Sequence, residues 1–335
     1  MKLPALDKTA KTINRVRYYA AGITRHAVPR EWYLQRCRQI LGELEASPEL
    51  EELMRRANYY NRLPPCSVEP GTRLNAVDRA QSRYYFDLDE YLRYFPCRLK
   101  VDYLFGDVTW VPNTPSIVKS RPTGGENGNS VLLNLDKLRH FRLCADDTPW
   151  EKKKPMAVWR GALNNPLRME LLRRHHESAS ADVGHIGETK DGVQAKGFLS
   201  PQDQMGYRYI LSIEGFDVAT NLKWIMASRS VCVMPKGRYE TWFMEGGLIP
   251  DHHFVEVRPD FSDLEDKIAE LERNPQWAQD IVANANAYVA SFCDRKTERK
   301  ISLLVLQKYF EATGQLPPSA FSPLFFQQTR ELQPA

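Results

Sequence analysis

The sequence predicts an α/β protein: a helical beginning, then from about residue 151 a doubly wound parallel sheet. Three observations point there. Between residues 207 and 250 the hydrophobic period changes twice. Tyr207, Tyr209, Leu211 and Ile213 alternate with Arg208 and Ser212, as in a strand, and Gly215 ends the run. Val218, Leu222, Ile225 and Met226 then share one stripe of a helix opened by Asp217 as N-cap, and 230–234 reads as a buried strand closed by Pro235. Strand, glycine turn, helix and strand make one βαβ unit. Secondly, further strands at 156–159, 182–186 and 254–257 alternate with helices opened by Pro166, Ser262 and Pro275. Thirdly, residues 8–62 carry helix signals throughout.

Taken in order, Pro29 opens a helix through Trp32, Leu34 and Leu41, and Ser47-Pro48-Glu49 supplies the cap and first-turn proline of the next. Pro64-Pro65 breaks it. A short helix is expected at 87–94 and a strand at 99–105, ending at Gly106-Asp107. The segment 112–129, with three Pro and three Gly, reads as a long loop of the kind that often carries function. Residues 135–143 read as helix, 166–177 as the helix after the 156–159 strand, and 297–313 as a last helix with Ile301, Leu304, Val305 and Tyr309 on its stripe. The Pro- and Gln-rich tail after Gly314 reads as loose. The domain boundaries expected are 1–150 with a helical head, 151–295 as the Rossmann-like domain, 296–314 as a helix packing back toward the first domain, and 315–335 as tail.

Bulk properties narrow the function. No apolar run approaches the roughly 20 residues of a membrane span, and the first residues lack the apolar core of a secretory signal, so a cytoplasmic protein is expected. The six cysteines are far apart with no CxxC pair, which favours reduced thiols over a zinc or redox motif. Residues 1–40 hold nine Lys and Arg against two acids, a net +7, which leaves −3 for the rest of a chain of net charge +4. A basic head suits an anionic partner such as a membrane surface, a phosphorylated glycan or nucleic acid, and equally a solvated helix face.

Several constellations bear on chemistry. Asp107 stands just past a strand end beside a glycine, in FGDVTWVP, where an α/β sheet faces its ligand, so it reads either as a general base or as a turn residue bonding its own backbone. In VWRGALNNPLRMELL, Arg160 ends a strand, Gly161 lets the chain turn close to a ligand, and Arg168 lies in the first turn of a helix, against the helix dipole but well placed for a phosphate. The free N–H groups at the helix start beyond Gly215 suit a phosphate too. Lys223 could reach a diphosphate or be an ordinary surface lysine. Lys119, Arg121, Glu240 and Glu245 are possible sugar contacts. Asp87-Leu88-Asp89 has the letters of a metal-holding pair but is read as opening a helix, and His252-His253 point to opposite faces of an extended segment.

The blocks GDVTWVPNTPSIVKSRP, NSVLLNLDKLRHF, AVWRGALNNPLRMELL and 211–257 together resemble glycosyltransferase family 90, in particular its bacterial branch acting on the lipopolysaccharide core, and more faintly the animal protein O-glucosyltransferases. The resemblance implies a GT-B-like fold, two Rossmann-like domains facing across a cleft, with the acceptor on the domain of residues 1–150. It implies an inverting, metal-independent hexosyl transfer with a UDP-sugar as co-substrate and no cofactor or metal. By position, Asp107 would be the base and Arg168 would hold the diphosphate. Phe216, Asp217, Val218, Ala219, Thr220 and Asn221 would wrap the nucleotide, beside Arg160, Gly161, Ala162 and Lys223. Asn221 and Ala162 stand where the animal enzymes show an arginine and a serine. The partners expected are the UDP-sugar and a lipopolysaccharide core or other glycan acceptor (capsule or protein included), with peripheral contact at the inner face of the inner membrane through residues 1–40 and no nucleic acid. The rival reading is a non-catalytic nucleotide- or RNA-binding protein that uses the basic head for its partner.

Overall fold

The computed structural model describes residues 8–66, 68, 70–189 and 192–326, with side chains from residue 12 onward. In chain order the main elements are α1 (Lys8–Arg25), α2 (Arg30–Glu45), α3 (Leu50–Tyr60), β1 (Thr72–Arg73), α4 (Ser82–Leu92), β2 (Lys100–Leu104), β3 (Ser116–Val118), β4 (Ser120–Pro122), β5 (Ser130–Leu132) and α5 (Lys137–His140). Then come β6 (Lys154–Gly161), α6 (Pro166–His175), β7 (Ala181–His185), α7 (Pro201–Gln204), β8 (Tyr207–Leu211), α8 (Leu222–Met226), β9 (Val231–Met234), β10 (Tyr239–Thr241) and β11 (Val255–Glu256). Helices α9 (Leu264–Arg273), α10 (Pro275–Ala290), α11 (Arg295–Ala312) and α12 (Ser322–Phe326) complete it. Two compact units result. A parallel-sheet unit holds 139–238 and 243–292 with the described chain up to Ile13, and a helix-rich unit holds 14–138, 239–242 and the described chain from Cys293.

In the parallel-sheet unit the strands run in the order β7-β6-β8-β9-β11, all parallel. The odd-numbered residues Trp159, Val183, Tyr209, Leu211, Val231, Val233 and Val255 share one face and pack with Leu171 and Leu172 of α6, Ile268 and Leu271 of α9 and Ile281 of α10. The even-numbered Val158, Ile210 and Cys232 are buried as well. Both faces are therefore covered, as the continuous apolar runs of these strands require. The chain leaves β6 for β7 on one side and returns to β8 on the other, which makes the carboxyl ends of β6 and β8 the topological switch point of the sheet.

The helix-rich unit has a smaller sheet, β1-β2-β3-β5, in which β2, β3 and β5 are parallel and β1 antiparallel, and a separate antiparallel pair β4/β10. The segment 112–129 is thus not one long loop, since β3 and β4 lie within it. Each is three residues long, too short for its alternation to show through the surrounding Pro and Gly. Helix α11 runs through the core of this unit, with Ile301, Leu303, Leu304, Val305, Leu306, Tyr309 and Phe310 all 0% exposed. From Ile301 to Phe310 the helix is buried on every side, polar Ser302, Gln307 and Lys308 included, which makes this part a core helix. Its Tyr309 hydroxyl donates to the Pro115 carbonyl (2.9 Å) and accepts from the Asp102 N–H (3.1 Å), tying the helix to the sheet.

Four more expectations are corrected. The helix after Gly215 begins only at Leu222. The Asn221 side chain donates to the Leu211 carbonyl (3.1 Å) and accepts from Ser212 Oγ (3.2 Å), so 212–221 folds back on the strand end instead of winding into a helix. Asp217 is 1% exposed and caps no helix. Asp87 and Asp89 sit inside α4, not at its start. Asp87 is fully buried, accepts from the Lys137 N–H (2.9 Å) and is pushed by burial up to about 6, while Asp89 pairs with Arg93 (2.8 Å). The helix expected at 135–143 is the single turn α5. The tail expected to be loose forms α12, with Phe321 and Phe325 buried; residues 327–335 lie outside the described residues. All six cysteines are free.

Lys308, on α11, is 3% exposed. Its ammonium donates to Asn58 Oδ1 (2.8 Å) and lies 5.7 Å from the Phe326 ring centroid. Burial pushes it from 10.5 down to about 7. Below that value both folded and unfolded chains hold the proton, and the folded chain bears the cost of the buried charge. Above it the folded chain sheds a proton that the unfolded chain keeps, so stability rises with pH, by up to about 1.4 kcal/mol per unit. Lys308→Met should abolish that contribution and be the more stable form at pH 6; urea midpoints of both proteins between pH 6 and 9 measure it, and parallel curves would refute it.

Candidate active site

At the switch point, Asn165 caps α6 by accepting from the Leu167 N–H (2.8 Å), and Pro166 takes the first helical position. This cap aims the next turn back at the strand ends. Arg168 there donates through Nη1 to the Ala162 carbonyl (2.9 Å) and Asn164 Oδ1 (2.8 Å), through Nη2 to the Ile213 carbonyl (2.9 Å) and through Nε to the Glu214 carbonyl (2.9 Å). Asn165 Nδ2 adds a bond to the Gly215 carbonyl (2.6 Å). The loops after β6 and β8 are thereby stapled together. A Cβ on Gly215 would lie 3.2 Å from Arg168 Nη2, close enough that the guanidinium would have to shift by a few tenths of an ångström.

The acceptors of Arg168 are all neutral oxygens, and its guanidinium lies 5.7 Å from the Trp159 ring centroid. Burial, then the neighbouring Arg139 cation, push it down to about 10, which leaves it charged at neutral pH. A desolvated cation balanced by carbonyl dipoles alone gains strongly from an anion. Beside it Phe216 is 64% exposed, while Val218 and Ala219 are buried. Of the stretch expected to wrap a nucleotide, Phe216 and the half-buried Thr220 and Asn221 reach the surface.

Other predicted donor residues are engaged elsewhere. Arg160 donates through Nη2 to both carboxylate oxygens of Asp182 (both 2.9 Å) and through Nε to the Gly197 carbonyl (3.1 Å). Gly161 is required by packing, since a Cβ there would meet the Trp159 ring at 2.6 Å. Lys223 is 0% exposed and paired with Glu245 at 2.6 Å, so neither the surface lysine nor the sugar-gripping acid describes these two residues.

In the helix-rich unit Asp107 lies three residues beyond β2, after Gly106 at φ +111°. Its carboxylate pairs with Lys119, the residue that follows β3, and the Val108 carbonyl accepts from Ser120 Oγ (2.9 Å). Asp107 retains 21% side-chain exposure and Lys119 1%. Both residues therefore sit at the carboxyl ends of adjacent parallel strands, the edge where open α/β sheets place ligands. The other expected sugar contacts there are closed off. Glu240 on β10 stands opposite Arg121 on β4 and is bound by its Nε at 2.7 Å, while Arg121 also donates to the carbonyls of Tyr59 (2.6 Å), Tyr60 (3.1 Å) and Ser130 (3.1 Å). Neither residue is more than 1% exposed. Sequence reasoning missed Asn164 and Asn165, although the Asn-Pro cap signal was present, and it passed over Trp110, 57% exposed three residues from Asp107.

Comparison with known proteins gives this geometry its class. The model of "Glycosyl transferase family 90" matches residues 134–313, a span that takes in the whole Arg168 region and starts downstream of Asp107. The chain is 41% identical over 310 residues, 91% of its length and 98% of the relative's, to the O-glucosyltransferase LpsA of Dichelobacter nodosus. It is 24% identical over 196 residues to protein O-glucosyltransferase 1 of Rattus norvegicus, covering 56% of this chain and 48% of that protein. The protein is therefore a glycosyltransferase, an enzyme of the transferase class. It belongs to glycosyl transferase family 90. The reading as a non-catalytic nucleotide- or RNA-binding protein falls with that membership.

If the Arg168 cation takes an anion, pyrophosphate at about 100 times its Kd should add about 2.7 kcal/mol to stability and raise the thermal midpoint by a few degrees. Arg168→Met should not respond. A wild-type protein indifferent to pyrophosphate, or a variant that responds equally, would remove Arg168 from anion binding.

Proposed function

We propose that the protein transfers a hexose from a UDP-sugar to a hydroxyl of a lipopolysaccharide or lipooligosaccharide core saccharide, with inversion and without a metal. The observation that carries the donor half is the Arg168 guanidinium at the switch point, balanced by neutral oxygens and accompanied by Arg139. There it holds the diphosphate, with Phe216 beside the nucleotide. The acceptor half is supported by Asp107, a partly exposed carboxylate at the strand ends, and the saccharide class by the name of the Dichelobacter nodosus relative.

In the reaction the acceptor oxygen bonds to the anomeric carbon while its proton passes to Asp107. The bond from that carbon to the β-phosphate oxygen breaks in line on the opposite face, and its electron pair leaves with UDP. Arg168 stabilises the charge that grows on UDP, the role a metal fills in other transferases. A general base typically contributes about 10²- to 10⁴-fold. Asp107→Asn should therefore lower turnover by about that factor and leave calorimetric UDP affinity unchanged; full turnover would exclude Asp107 as base.

The acceptor's home is proposed to be the inner face of the inner membrane, met peripherally. No described helix is long and apolar enough to cross a membrane. The reading is supported by the face of α1 turned away from Phe86. Gly22 packs against that ring, while Val16 (62% exposed) and Ile23 (63%) point outward with exposed Arg15 and Arg17 nearby, followed by Trp32 (52%). An amphipathic helix of this kind lies in an anionic interface. Ile23→Asp combined with Val16→Asp should release the protein from phosphatidylglycerol vesicles in co-sedimentation. Undiminished binding by that variant would dispose of the membrane contact.

A further inference from the structure

We propose that Lys119 is a positioning residue for the transfer: its sealed ammonium fixes the Asp107 carboxylate where it accepts the acceptor's proton. This rests on the reading of Asp107 as the base. Lys119 is the single residue between β3 and β4. β3 is hydrogen-bonded to β2 and β5, β4 to β10, so strands on both sides restrain the main chain at this point. Asp107, by contrast, stands on a turn past the end of β2, after a glycine in the left-handed region, with no strand ladder of its own. The rigid member of the pair is the lysine.

Two adjacent residues of the β3–β4 junction hold two adjacent residues of that turn: Lys119 meets the Asp107 carboxylate and Ser120 Oγ donates to the Val108 carbonyl at 2.9 Å. One contact fixes the side chain and the other the backbone beside it, which together set both the place and the orientation of the carboxylate. A proton acceptor must lie within hydrogen-bond reach of the hydroxyl it serves, so such fixing bears directly on rate.

Exposure separates the roles within the pair. Asp107 keeps 21% of its side-chain surface and can meet a substrate, whereas Lys119 keeps 1%. A lysine so enclosed is not the sugar contact that its place in the sequence suggested. The effect proposed for it on the reaction passes through the carboxylate it holds. A buried ammonium needs such a partner, so an ion pair with a purely structural purpose is the competing account, and a double-mutant cycle separates the two.

The experiment compares wild type, Lys119→Met, Asp107→Asn and the double variant for kcat and for calorimetric UDP affinity, with Lys119→Gln run through the same cycle in case the Met variant does not fold. The double variant carries neither charge of this pair. Lys119→Met or Lys119→Gln is expected to lower kcat at least about tenfold with UDP affinity within about twofold of wild type. Added to Asp107→Asn, the same change should alter kcat by less than about twofold, because the group through which it acts is already gone. A lysine variant that keeps full kcat, or one that costs as much in the Asp107→Asn background as in wild type, would overturn the proposal. Wild-type turnover in Asp107→Asn alone would instead sink the reading of the base itself.

Discussion

A charge taken out of water must meet an opposite charge or an array of oxygens, and that constraint sorts the polar residues of this chain into structural and available ones. Arg121 with Glu240, Lys223 with Glu245, Arg160 with Asp182 and Lys153 with Asp146 are close pairs in which each cation is satisfied by a carboxylate within 3 Å. Groups so engaged have little left to offer a substrate, and removing one partner would strand the other. Arg168 is built differently. It spends its donors on carbonyl and amide oxygens, which orient the guanidinium while leaving its net charge uncancelled.

That difference follows from where the residue sits. The carboxyl ends of parallel strands present carbonyls, and at the switch point two strand ends diverge, so an arginine there finds acceptors without finding acids. The Asn-Pro start of α6 aims it, and Gly215 leaves room for it. In the helix-rich unit the same kind of edge carries Asp107, with the opposite economy: a carboxylate only partly enclosed, steadied by a lysine wholly enclosed. Arg168 in one unit and Asp107 in the other thus each lie at the carboxyl end of parallel strands, with close ion pairs among the charged groups elsewhere in each unit. Family membership says that such a chain moves sugars, and the arrangement of charge is what makes Arg168 and Asp107 the residues proposed for it.

Much of the architecture was legible in residue order. The β8–β9 region, the last helix and the Pro-initiated α6 and α10 were all visible, because hydrophobic period and Pro or Asn punctuation act over a few residues. The failures have physical causes. Strands β3 and β4 were hidden because three residues are too few to establish a period and a Pro-rich context argues against strand. The helix after Gly215 was placed too early because Asp217 looks like a cap, whereas the Asn221 amide, reaching back to Leu211, holds the chain in a turn. Asp107 and Arg168 were legible as candidates from their positions at strand and helix ends; Lys119, Arg121, Glu240 and Lys223 were misread, each being a charged residue whose partner the sequence does not mark.

By itself the sequence determined an α/β protein with a parallel sheet in its second half, a basic helical head, and the short set of charged residues that fall at element ends. Period, glycine, proline and local charge fix such features within a turn or a strand. The tertiary structure alone decided which of those charges stay available, because pairing is set by strand register and strand order. Arg121 and Glu240 are 119 residues apart and meet because β4 and β10 lie in one register, and Arg168 finds its carbonyls because β6 and β8 became neighbours. No local pattern encodes either fact, since the energy of a buried charge depends on what the rest of the chain brings beside it.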